Sequence, residues 1–256
     1  MSSPNLEQTM QSVPAYDNFE RILLLGEADF SFTRAFAQEY SDKNQDNTRT
    51  STIEITATEY GNGTDIANRY HNGNFRGLAQ SMNSIQNLAP VKEIMAGLNA
   101  RLLGDVNNCT CQRWNVAIQE WGIPIPFWHE SSTKFDLIIF NFPHSDQAGR
   151  AAKLVKAFFK QVRICIMNNR LPPTVVVEMR LRTLESDPKR RKNVRTLYRH
   201  EEAAAESQFD LIGCWASDLD RWERAGYEHK WSRRNASCRD ISQACKVWRW
   251  TPKKCP

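Results

Sequence analysis

Short apolar runs rich in β-branched residues alternate with longer amphipathic stretches, the pattern of βα units feeding a mostly parallel sheet. The runs predict strands at 21–25, 53–58, 101–103, 135–140, 174–179 and 209–214. A last strand is predicted at 246–251, after a polar link long enough for it to enter antiparallel. Apolar positions at helical spacing predict helices at 32–40, 65–71, 88–99, 111–121, 148–166 and 193–207. Three polar or proline-bearing segments, 41–52, 122–133 and 181–192, interrupt the alternation and read as loops. The expected architecture is one α/β domain over 19–256, a seven-stranded sheet with helices on both faces, after a polar, flexible tail at 1–18.

The first strand, Arg21-Ile22-Leu23-Leu24-Leu25, runs directly into Gly26-Glu27-Ala28-Asp29 and then into Phe30, Ser31 and an apolar-periodic helix. That layout is a ligand-cradling βα turn: glycine lets the backbone turn tightly, and the amides opening the helix face the ligand. Two carboxylates, Glu27 and Asp29, would repel a pyrophosphate but suit a ligand carrying an ammonium group and a sulfonium, such as S-adenosylmethionine. The dinucleotide fingerprint G-x-G-x-x-G is absent, which disfavours a dehydrogenase. An ordinary turn capped by Asp29 or Ser31 is the plainer alternative for this segment alone. Glu59 at the end of the second strand is placed to accept from ribose hydroxyls, and Asp105 after the expected third strand to accept from an adenine amino group.

The strand at 135–140 delivers Asn141-Phe142-Pro143-His144 to the sheet edge where open α/β folds bind their ligands. An asparagine carboxamide and a proline-stiffened turn can hold a base nitrogen, and an imidazole can stack on the base or take its proton. The layout is similar to the (Asp/Asn)-Pro-Pro-(aromatic) element of methyltransferases that modify nitrogen in bases, a resemblance that implies Asn141 as the acceptor, Pro143 as the rigid element, and His144 as the stacking ring or base. A proline-ended strand with a surface histidine is the alternative.

Taken together, Leu23-Leu24-Leu25-Gly26-Glu27-Ala28-Asp29-Phe30-Ser31-Phe32 and Ile139-Phe140-Asn141-Phe142-Pro143-His144 resemble the 25S rRNA (uridine-N3)-methyltransferase-like family. Residues 55–58 with Tyr60, Gly104-Asp105 and the segment 225–229 extend the resemblance over about 19–238. The resemblance implies a Rossmann-like class I S-adenosylmethionine-dependent methyltransferase acting on uridine N3 of large-subunit ribosomal RNA. It also implies a cofactor site drawn from Gly26, Glu27, Ala28, Asp29, Phe30, Ser31, Glu59, Tyr60 and Asp105. Three positions depart from the family pattern: Ala28 stands where glycine is usual, Gly61 where an acid commonly follows Tyr60, and Ser145-Asp146-Gln147 delays the glycine expected after His144. These departures leave room for a changed substrate, or for the alternative of a catalytically weakened RNA-binding or ribosome-assembly factor on the same scaffold.

Charge refines the partner. From residue 180 onward there are 18 Lys/Arg against 11 Asp/Glu, whereas the rest of the chain holds 16 against 18. The basic excess is thus confined to the C-terminal third, as expected of a face that meets phosphate. Lys189, Arg190, Arg191 and Lys192 form a run that reads as phosphate contact or nuclear import signal, and Arg233 and Arg234 as surface RNA contacts. Trp231, Arg239, Trp248, Arg249 and Trp250 interleave rings and cations, with Trp248 and Trp250 on one strand face and so expected in the core. Seven cysteines, odd in number and without a CxxC pair, predict free thiols and no metal. No membrane span or secretory leader is expected, and the nucleus, above all the nucleolus, is the expected compartment, with the cytoplasm as alternative. A monomer is expected.

Overall fold

A computed structural model describes residues 13–26, 30–45, 53–59, 68, 75–96, 134–141, 143, 150–182, 198–216, 218–227 and 245–254. The elements are β1 (Arg21–Leu25), α1 (Ser31–Gln45), β2 (Glu54–Glu59), α2 (Phe75–Gln86), β3 (Val91–Ala96), β4 (Leu137–Asn141), α3 (Arg150–Met167), β5 (Val176–Arg182), α4 (His200–Glu206), β6 (Phe209–Ala216), α5 (Leu219–Arg224) and β7 (Cys245–Pro252). The seven strands form one sheet in the order β3-β2-β1-β4-β5-β7-β6. The pairs from β3 through β5 are parallel, and β7 inserts antiparallel to both β5 and β6. The expected seven-stranded α/β sheet with an antiparallel last strand is what the chain forms.

The two faces of the sheet sort by strand alternation. Leu23, Leu25, Ile138, Phe140, Val177, Met179, Trp248 and Trp250 point to one side. There α3 covers them with Leu154, Val155, Phe158, Phe159, Val162 and Ile166, spaced at i, i+1, i+4, i+5, i+8 and i+12 on one helical face. Ala203 and Ala204 of α4 complete that core. Ile22, Leu24, Ile55, Ala57, Leu137, Ile139 and Val247 point to the other side. They meet Phe32, Phe36 and Tyr40 of α1, Ile85 of α2, and Leu219 and Trp222 of α5. Each fully buried Leu, Ile or Phe contributes roughly 1.5–3 kcal/mol of transfer free energy, so these two layers dominate folding. Trp248 and Trp250 are core residues, as their alternation predicts.

Two expectations are corrected. The strand expected at 101–103 lies outside the described residues, and the stretch 88–99, expected to be helical, carries the strand β3 at Val91–Ala96. Its Lys, Glu, Met and Ala favour a helix locally, but parallel pairing with β2 from Ile55↔Val91 to Glu59↔Ala96 overrides that preference. Lys92 on this edge strand pairs with Glu54 across it, the kind of charge that keeps an edge from recruiting another strand. The expected tail also surrenders its last residues to the core. Val13 and Tyr16 are buried, with the Tyr16 ring edge-on to Phe36 at 5.0 Å. The polar composition of 1–18 hides these two because their partners lie far along the chain.

The helix α2 is absent from the sequence reading, since Gly77, Ser81, Asn83 and Ser84 blur its periodicity. The short α5 is tied to α1 by the Arg221–Glu39 ion pair. Expected helices at 65–71 (except 68) and 111–121 lie outside the described residues.

Candidate functional site

In an open α/β sheet the ligand crevice lies beyond the carboxyl ends of the strands, where the strand order reverses. Here that point falls between β1 and β4, because β2 and β3 build outward on one side of β1 while β4 and β5 build outward on the other. Leu25 pairs with Thr58 of β2 and Phe140 of β4. The next residue of each strand therefore brings Glu59, Gly26 and Asn141 side by side at the crevice. The two motifs, over a hundred residues apart in sequence, become one site through this pairing.

Gly26 adopts φ +68, in the left-handed region, at the end of β1. A Cβ there would stand 3.1 Å from Cε2 of Phe140, a ring packed 5.3 Å from Phe158. Glycine suits both the conformation and the space, since a methyl group here would strain the backbone and press on the Phe140 ring. Phe30 also has a positive φ, 62, and its carbonyl accepts from the Arg34 amide at the opening of α1. Its ring is fully buried with Phe32 and Phe36, so what Phe30 offers a ligand is backbone, not side chain. Ser31 begins α1, and Thr58 beneath the turn donates its hydroxyl to the Leu24 carbonyl at 3.1 Å. A left-handed glycine ending β1 and a helix that starts at Ser31, with an acid one strand away, fit a cofactor that has a carboxylate, an ammonium group and a ribose.

Asn141 is the last residue of β4 and is buried, and Pro143 is buried beside it. Asn141 Oδ1 accepts a hydrogen bond from Arg180 Nη1 at 3.2 Å. Arg180, directly opposite Asn141 on β5, has no exposed surface. Its Nη1 also donates to Glu178 Oε1 at 2.6 Å, and its Nη2 donates to Tyr16 Oη at 2.7 Å and Asp218 Oδ1 at 3.4 Å. Tyr16 in turn donates to Glu178 Oε1 at 2.8 Å, and Arg249 Nε donates to Glu178 Oε2 at 2.6 Å. Two guanidiniums and two carboxylates thus balance inside the layer beneath α1 and α5.

Burial of Arg180 works against its charge, but the field of Glu178 and Asp218 and the hydrogen bond to Tyr16 outweigh it and hold the guanidinium pKa well above its ordinary value. Burial pushes the Tyr16 phenol well above its ordinary value, Arg180 opposing and Glu178 adding, so it stays protonated and able to donate.

Glu178, Arg180, Tyr16 and Asp218 carry no role in the sequence reading. A signal is present nonetheless: Glu178 and Arg180 sit two apart among Val176, Val177, Met179 and Leu181, hence on one face of a sheet buried on both sides, where charges must find partners. Arg249, grouped by sequence among cations that meet RNA, is instead turned inward to Glu178, its register partner. Burial beside an acid removes it from the surface.

The remaining candidates divide as follows. Glu27, Ala28, Asp29, Tyr60, Asp105, His144, Lys189, Arg190, Arg191, Lys192, Arg233 and Arg234 lie outside the described residues. Among the described residues no cluster of His, Cys, Asp or Glu is arranged for a metal ion, and no helix is long and apolar enough to cross a membrane.

Comparison with known proteins adds the family. No curated protein sequence matches the chain. Among solved structures, N,N-8-amino-8-demethyl-D-riboflavin dimethyltransferase (RosA) from Streptomyces davawensis is 12% identical over 93% of this chain and 50% of its own, with a TM-score of 0.43. The aminoglycoside resistance methyltransferase NpmB1 is 11% identical over 91% and 87%, with a TM-score of 0.44. The N-terminal domain of human METTL16 is 11% identical over 92% and 62%, with a TM-score of 0.39. The chain thus spans about half the length of the first of these structures. The family model described as rRNA (uridine-N3-)-methyltransferase BTM5-like matches residues 23–231, from within β1 to beyond α5. With that match spanning both halves of the crevice, on a class I methyltransferase sheet, the chain belongs to the BMT5-like family.

Proposed function

We propose that this protein is an S-adenosylmethionine-dependent RNA methyltransferase that methylates N3 of uridine in large-subunit ribosomal RNA. The observation that carries the reading is the adjacency of Gly26 and Asn141 on neighbouring strands at the point where the sheet order reverses. The family match supports the substrate class. The cofactor supplies an electrophilic methyl group when bound. On the protein's side, the Gly26 turn and the start of α1 hold the amino-acid end, Glu59 the ribose, and Glu27, Asp29 and Tyr60 complete the cradle. Asn141 and Pro143 fix the base, and His144 receives the N3 proton, a task matched by an ordinary imidazole pKa of about 6.5. Catalysis rests on orientation of the two reactants plus removal of that one proton. Lys189–Lys192, Arg233 and Arg234 anchor RNA phosphates, and the protein works as a monomer in the nucleus, with the nucleolus as its site.

Calorimetric titration of the purified protein with S-adenosylmethionine tests the first step, and an absence of binding at millimolar ligand sinks it. Mass-spectrometric mapping of 3-methyluridine in RNA from cells with and without the protein tests the product. RNA binding that falls steeply with salt, without any methyl incorporation when cofactor is supplied, would refute the enzymatic reading in favour of an assembly factor.

A further inference from the structure

The carboxamide of Asn141 has two ends of similar shape and opposite hydrogen-bonding character. What decides which end faces which way is the group behind it. That group is Arg180, whose Nη1 lies 3.2 Å from Asn141 Oδ1. A guanidinium has donors and no acceptor, so the carboxamide end that meets it is the oxygen. The reversed rotamer would set an NH2 group against an N–H donor and forfeit a charge-assisted bond, roughly twice as strong as a neutral one.

The guanidinium is itself immobilised. Both its terminal nitrogens are engaged, by Glu178 on one and by Tyr16 and Asp218 on the other, and its Cζ lies 4.8 Å from the Phe32 ring centroid. Glu178 is fixed in turn by Arg249, which also donates to the Pro14 carbonyl at 2.9 Å. Four segments distant in sequence, 14–16, 178–180, 218 and 249, thus converge to hold one side chain at the crevice. Binding a charge this deeply costs stability unless every partner is in place, and apolar residues of the same volume would fill the space at least as well. Arg180 is where the cluster touches the site.

We propose that Arg180 is the positioning residue of this site, holding Asn141 in a single carboxamide orientation with Oδ1 committed to the guanidinium. The order of oxygen and NH2 presented to a base is thereby fixed before the base arrives, so no binding energy goes into turning it. The consequence for turnover rests on the methyltransferase reading above; the orientation does not.

Two measurements separate these. The side-chain amide resonances of Asn141, assigned by their loss in Asn141→Ser, are followed by 15N-edited NMR in wild type, Arg180→Lys and Tyr16→Phe. Loss of the guanidinium is expected to shift the Asn141 pair and speed its amide exchange, and Tyr16→Phe, which removes one brace, to move it less in the same direction. An unmoved pair in folded Arg180→Lys overturns the inference. If Arg180→Lys does not fold, an unmoved pair in Tyr16→Phe does so.

With RNA and cofactor, Arg180→Lys is expected to lower kcat about tenfold with KM for the cofactor changed less than about twofold, the mark of a contact made in the transition state. In the Asn141→Ser background the same change should add less than about twofold, because a residue acting through Asn141 has nothing left to act on. Equal losses in both backgrounds would show a merely structural role and overturn the inference. A wild type that binds no cofactor and transfers no methyl sinks the proposed function and leaves the amide result standing.

Discussion

Replacing Glu178 with glutamine keeps its volume and removes its charge, which makes it the sharpest probe of the layer beneath α1. The carboxylate is fully buried and accepts from Arg180 at 2.6 Å, from Arg249 at 2.6 Å and from Tyr16 at 2.8 Å. Two guanidinium charges therefore face one carboxylate, with Asp218 at 3.4 Å from Arg180 supplying the second negative charge. At an effective dielectric near 20 each close pair is worth about 4 kcal/mol before desolvation is counted. The neutral amide recovers the cost of burying the carboxylate, keeps some hydrogen bonding through its oxygen, and sets its NH2 against a guanidinium donor. Breaking a buried pair from one side typically costs about 3–5 kcal/mol, and that is the loss expected for Glu178→Gln. Against a total stability of about 5–15 kcal/mol such a loss is large, lowering Tm by roughly 6–20 °C for a domain of this size. Urea unfolding followed by circular dichroism measures it directly. Glu54→Gln is the matched control, since the Glu54–Lys92 pair is half exposed and such pairs are worth about 0–1 kcal/mol. A Glu178→Gln loss no larger than the control's would refute the view that buried charge organises this side of the sheet.

Gly26→Ala places a methyl group in a left-handed conformation and 3.1 Å from the Phe140 ring. A loss of about 1–2 kcal/mol in unfolding free energy is expected from the backbone alone, together with weaker cofactor binding by calorimetry; an unchanged pair of values would remove Gly26 from the cradle. The raised Tyr16 pKa gives a pH signature. A phenol whose folded pKa lies above the unfolded value of about 10 adds stability that is whole below pH 10 and is lost as pH rises through the folded value. Chemical unfolding as a function of pH should show wild type losing stability above pH 10 more steeply than Tyr16→Phe, and parallel curves would contradict it.

Much of this protein is legible from its sequence. Periodicity of two and of 3.6 residues locates β1, β4, β6, β7 and the long α3 to within a few residues, because in each case local preference and burial agree. The Gly26 turn and Asn141 stand out because strand, turn chemistry and polar residue follow one another without a gap. The same local signals fail at β3, whose residues favour a helix until β2 offers a parallel partner, and at Tyr16, whose hydrogen-bond partners Glu178 and Arg180 lie more than 160 residues away. They also leave Glu178 and Arg180 unexplained, as two charges among apolar neighbours whose purpose depends on what lies opposite.

What the sequence alone determines is therefore the alternating α/β order and the two motifs that end β1 and β4. What only the tertiary structure decides is that β1 and β4 are neighbours, that Arg180 stands behind Asn141, and that Arg249 faces inward and not toward RNA. The reason is physical: periodicity is set by each residue's own backbone and its exposure to water. Pairing across a sheet is set by hydrogen bonds and charges between segments that meet only once the chain has folded.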